Sequence, residues 1–81
     1  MKRIPVKSSN LASVGYDERT LTLEVEFLRD GSIYQYYPVS KDIYIELMKA
    51  DSKGTYFSRY IRGNRMYMYK KLPPELKWPH R

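Results

Sequence analysis

Between Thr20 and Phe27 the chain alternates strictly, with Leu21, Leu23, Val25 and Phe27 set against Thr20, Thr22, Glu24 and Glu26. A period of two puts each set on its own side of a strand, so this run is half buried and half wet. Shorter alternations flank it, in Leu11–Asp17 and in Ile33–Tyr37. Asp30-Gly31 between the later two runs is a hairpin signal, because both central residues of a type I′ turn need positive φ. A two-residue loop there pairs Arg29 with Ser32, and hence Phe27 with Tyr34 and Val25 with Tyr36. A similar turn at Glu18-Arg19 pairs Tyr16 with Leu21, Val14 with Leu23 and Ala12 with Val25. Both turns gather Ala12, Val14, Tyr16, Leu21, Leu23, Val25, Phe27, Tyr34 and Tyr36 onto one face. That agreement predicts a three-stranded antiparallel meander with one apolar side.

An apolar sheet face needs a cover. Ser40 is a good helix N-cap, Asp42 suits the positive end of the dipole, and Val39 can staple against Tyr44. Ile43, Leu47 and Ala50 follow at helical spacing, with Tyr44 and Met48 alongside. Ser52 caps a second helix from about Lys53 to Ile61, and Gly63-Asn64 stops it. "RMYMYKK" (Arg65–Lys71) alternates again and reads as a short final strand. Residues 1–10 read as extended and irregular. The expected class is α+β: a meander covered by a helix, then a second helix and a short C-terminal strand. One domain covers residues 1–72, and a proline-rich tail with Trp78 and His80 covers 73–81.

Charge is spread unevenly. Residues 1–52 carry seven basic and eight acidic side chains, whereas residues 53–81 carry eight basic ones and Glu75 alone, giving about −1 and +7 within a net +6. A one-sided basic segment is the footprint of an anionic partner; the plain alternative is a solvated surface that keeps the chain dispersed. The candidate nucleic-acid contacts are Arg59, Arg62, Arg65, Lys70 and Lys71, with Tyr67 and Tyr69 as stacking partners. A second candidate is an anion site at the start of the second helix, made of Ser52, Lys53 and Gly54 with Arg62. Its bland counterpart is a capping serine and a glycine that clears room for a neighbour. Tyr34 and Tyr36 face the covering helix, which favours a core role over base stacking.

Catalysis has little support. His80 is the single histidine and there is no cysteine. No Ser-His-Asp set or His/Cys metal cluster can be drawn, so no enzyme activity, cofactor or metal is expected. The absence of cysteine, of a signal peptide and of a long apolar run favours the cytoplasm and no membrane contact.

The chain resembles the KTSC domain family over Val6 to Met68. The resemblance rests on Ser8-Ser9, Gly15-Tyr16-Asp17, Gly31 with Tyr34 and Tyr36, and Ala50, Ser52, Gly54, Tyr56-Phe57 and Ile61-Arg62. One departure is the order Pro38-Val39 where the family tends to have Val-Pro, which touches the start of the first helix. The family is named after a module at the C-terminus of some lysyl-tRNA synthetases and also occurs as free-standing small proteins. The resemblance implies the fold, no catalytic activity, and a suggested affinity for RNA. The leading expectation is a small non-enzymatic module that binds RNA or another nucleic acid without strong sequence preference. The alternatives are a binder of a small anionic ligand such as a nucleotide, and a protein-interaction or homo-oligomer module.

Overall fold

The computed structural model describes residues 1–73. Five strands form one antiparallel sheet in chain order: β1 (Ile4–Pro5), β2 (Leu11–Asp17), β3 (Thr22–Phe27), β4 (Ile33–Tyr37) and β5 (Met68–Lys71). Two helices, α1 (Lys41–Lys49) and α2 (Lys53–Tyr60), lie between β4 and β5. The expected meander is β2–β3–β4, and β5 is the expected final strand. β1 adds an unexpected strand within the stretch read as irregular. The proposed tail lies, from residue 74 on, outside the described residues, as do Trp78 and His80.

Both hairpin registers are slipped by two residues from the expected ones. Val25 pairs with Tyr34 and Leu23 with Tyr36, while Tyr16 pairs with Leu23 and Val14 with Val25. The connecting loops are therefore Glu18–Leu21, of four residues, and Leu28–Ser32, of five. The Asp30-Gly31 turn is not type I′, because only Gly31 takes positive φ (73°). The Asp30 carboxylate accepts hydrogen bonds from the Ser32 amide (3.0 Å) and hydroxyl (2.7 Å). Leu21, expected inside, sits in the first loop at φ 57° and gives its carbonyl to the Val39 amide at 2.8 Å. A slip of two preserves side-chain parity, so the predicted faces survive the wrong pairings.

One position does change face. The register shifts between Leu11 and Ser13, so that Leu11 pairs with Phe27 and Ala12 is the extra residue of a β-bulge. Leu11 is fully buried and takes the inward place expected of Ala12.

The core joins Leu11, Val14, Leu23, Val25 and Tyr36 of the sheet to Val39, Leu47, Phe57 and Ile61. The cover is thus shared by both helices. Ser40 caps α1 by accepting from the Ile43 amide, and Ser52 caps α2 by accepting from the Thr55 amide. Tyr44 stacks on Tyr16 with ring centroids 4.8 Å apart. Phe57 meets Tyr36 and Phe27 edge-on at 5.3 and 5.7 Å.

The other sheet face is not simply wet. Arg3 reaches the Ser13 hydroxyl (2.9 Å) and ion-pairs with Glu24, Gln35 donates to Glu24 (2.7 Å), and Ser13 donates to Glu26 (2.8 Å). Glu24 is buried by this network. Gly15 makes room for the residues that bring Arg3 in, since a Cβ there would lie 2.7 Å from the Lys2 carbonyl oxygen.

Candidate nucleic-acid interface: an aromatic cleft between two arginines

The inward face of the sheet runs out from under the helices at its β4–β5 side. Tyr36 pairs across strands with Tyr69, and Tyr34 with Lys71. The rings of Tyr36 and Tyr69 lie 5.8 Å apart and nearly parallel, at 27°. Phe27 stands edge-on to Tyr34 at 5.6 Å. Tyr36 is buried, and burial pushes its phenol above the ordinary value, with nearby Arg62 pulling the other way. Tyr69 is exposed, so the far side of its ring is open.

Arg62 is placed by its neighbours in sequence. Ile61 is locked in the core and Gly63 turns the chain at φ 77°. The amide of Arg62 is tied to the Phe57 carbonyl at 2.9 Å. Its guanidinium lies 5.7 Å from the centroid of Phe27, within range of a cation–π contact. Arg29 comes to the same place from the β3–β4 loop. Together with Tyr34, Tyr36 and Tyr69 these residues line an open cavity of about 420 Å³. A second cavity of about 340 Å³ shares Phe27, Arg29 and Arg62 and continues over Ser9, Asn10 and Ser58. Among the described residues neither arginine makes an ion pair.

The basic segment does not act as one surface. Arg62 and Tyr69 meet at the cleft, and Lys71 is on the same sheet face beside Tyr34. Lys70 points to the other face, paired with Gln35 and close to Tyr37 and Met68. Tyr67 packs against the core. Arg59 and Arg65 are exposed and line neither cavity.

The helix-start group is dispersed. The Ser52 hydroxyl accepts from the Thr55 amide and donates to the Thr55 hydroxyl at 2.8 Å. The Lys53 ammonium donates to the Ala50 carbonyl at 3.2 Å. A Cβ on Gly54 would lie 2.7 Å from the Asn10 side chain, so this glycine clears room for Asn10. Arg62 follows the far end of α2, about 12 Å along an eight-residue helix.

Arg29 and Phe27 are the site residues that sequence reasoning missed. Arg29 belongs to the half whose charges nearly cancel, which hid it. The available signal was its position in the loop of the hairpin that carries Phe27 and Tyr34. Among the described residues no three His, Cys, Asp or Glu side chains are grouped to hold a metal ion, and no helix is long and apolar enough to cross a membrane.

Comparison with known proteins agrees with this architecture. A KTSC domain protein from Yersinia pestis, known from its crystal structure, superposes with a TM-score of 0.82 at 36% identity, covering 89% of this chain and 97% of that one. An uncharacterized protein of Stutzerimonas stutzeri is 40% identical over 62 residues, which is 76% of this chain and 86% of the relative. A lysine–tRNA ligase of Nostoc punctiforme is 35% identical over 57 residues, 70% of this chain but 10% of the ligase. The chain therefore corresponds to a small part of that enzyme. The family model of the KTSC domain matches residues 7–67, and the chain belongs to the KTSC domain family.

Proposed function

We propose that this protein is a small non-enzymatic module that binds single-stranded nucleic acid, RNA foremost, in the cleft between Arg29 and Arg62. The carrying observation is the convergence of two arginines free of ion pairs, among the described residues, with the open ring of Tyr69 on one concave surface. Guanidinium groups give phosphate oxygens paired hydrogen bonds, and an exposed aromatic face accepts any base by stacking. Relatives of the domain that form a tenth of lysine–tRNA ligases add support, since those proteins act on tRNA by name. The site works in the cytoplasm on this reading. The test is fluorescence anisotropy of a labelled ten-nucleotide single-stranded RNA at low and moderate salt. Binding that weakens steeply with salt, and that Arg62→Gln reduces, is expected. No binding of RNA or DNA at low salt overturns the proposal.

The cavity size favours a second reading, a free mononucleotide ligand, because about 420 Å³ lies within the range of small-molecule sites, roughly 300–1,000 Å³. A thermal-shift screen separates the two: at equal concentration a mononucleotide raises the melting temperature as much as RNA under this second reading and clearly less than RNA under the first.

A further inference from the structure

We infer that the ligand spans both cavities, so that the minimal recognised unit is a dinucleotide with its phosphodiester over the Arg62–Phe27 ridge. The inference rests on the cleft being a nucleic-acid site. It comes from the way the two cavities are joined. They share Phe27, Arg29 and Arg62 as a common wall, and they differ in chemistry on either side of it. On one side stand the rings of Tyr34, Tyr36 and Tyr69, together with Asp30, whose carboxylate is held by Ser32. On the other stand the polar groups of Ser9, Asn10 and Ser58.

Among the described residues, Arg29 and Arg62 are the cationic side chains of the two cavities, and both belong to the shared wall. A free mononucleotide carries its phosphate at one end and would leave one cavity unfilled. A phosphodiester carries its charge between two nucleosides, which matches a cationic ridge between two hollows. The base on the aromatic side stacks against Tyr69. The nucleoside on the polar side finds hydroxyl and amide groups that suit a sugar and a base edge. Arg62 is already held over Phe27, so little side-chain freedom is lost when phosphate arrives.

The experiment compares a uridine mononucleotide, its dinucleotide and a ten-nucleotide RNA by calorimetry on the full chain. Two variants accompany it, Ser58→Leu and Ser9→Leu, which fill the polar cavity from exposed positions and leave the aromatic side alone. The dinucleotide is expected to bind at least about tenfold more tightly than the mononucleotide. Either leucine variant should bring the dinucleotide down to the mononucleotide's affinity without altering that of the mononucleotide. Equal affinity for the two ligands overturns the inference, as does an unchanged dinucleotide affinity in both variants. If the ten-nucleotide RNA still binds in that case, the nucleic-acid reading stands and only the two-cavity span falls. If no RNA binds, both fall together.

Discussion

The guanidinium of Arg62 rests over the ring of Phe27, 5.7 Å from its centroid. The contact orients a charge without neutralising it, because an aromatic face leaves the N–H edges unused. Loss of Arg62 should therefore show in binding and hardly in stability. Arg62→Gln is expected to weaken RNA binding by about 1.5–3 kcal/mol, roughly ten- to hundredfold, the range for charge-assisted hydrogen bonds. Its denaturation midpoint should stay near that of the parent. Anisotropy and urea titration on the same preparation check both halves.

Tyr69 separates stacking from hydrogen bonding. Its ring is exposed on one side and lies against Tyr36 on the other. Tyr69→Ala should cost about 1–3 kcal/mol of RNA affinity, and Tyr69→Phe should keep most of it. An equal loss in both variants would assign the role to the hydroxyl instead.

Lys70 and Lys71 are neighbours in sequence and opposites in space, one paired with Gln35 and the other with Tyr34. Lys71→Gln should lower the slope of log affinity against log salt by about 0.7, the value for one phosphate contact with a single strand. Lys70→Gln should leave the slope unchanged. Two titrations over a salt series decide the matter.

Gly15 and Arg3 govern stability away from the cleft. Gly15→Ala puts a methyl group 2.7 Å from the Lys2 carbonyl oxygen and so displaces the residues that carry Arg3. Glu24 would then lose its ion pair and the part of its cover that Arg3 supplies, keeping its hydrogen bond from Gln35. A cost of about 1–3 kcal/mol is expected for Gly15→Ala. Arg3→Ala should cost toward the lower part of that range, since the Arg3 side chain is 24% exposed and screened. Chemical denaturation measures both, and RNA affinity should not move.

Tyr16 sets an alkaline limit. Its hydroxyl donates to the Val39 carbonyl, and burial, then Glu18 and Asp17, hold its phenol above the ordinary value of 10.0. The folded form thus keeps the proton that the unfolded form gives up. The stabilisation is complete below the unfolded value and is lost as pH rises through the folded one. Tyr16→Phe should lose about 1 kcal/mol at neutral pH, for the missing hydrogen bond, and show a shallower fall in stability above pH 10. Thermal melts between neutral and alkaline pH test it.

Much of the fold was legible in the sequence because a period of two fixes faces even when pairings are misjudged. Val25 faces inward whether its partner is Tyr34 or Tyr36. The bulge was not legible, since nothing local to Ala12 says that Leu11 will take the inward place. β1 escaped because two residues show no alternation, and its strand character comes from pairing with Val14 and Ser13. In the cleft, Arg62 and Tyr69 could be named from charge and aromatic content. Their convergence with Arg29 depends on a loop and a helix end meeting in space, which no spacing rule reports.

Sheet order and chain order coincide here, and that gives the molecule a sequence of completion. The hairpins of β2, β3 and β4 close between near neighbours, while β5 returns to β4 only after both helices. No buried core residue comes from β5. During synthesis the N-terminal parts leave the ribosome first, so a nascent chain halted at Met66 already holds every fully buried residue of the core cluster and, among the described residues, lacks only the partly buried Tyr67 packed against it. It does not yet own Tyr69 or Lys71. On the proposed reading the binding face is the last thing to be made, and a product ending at Met66 would lack it.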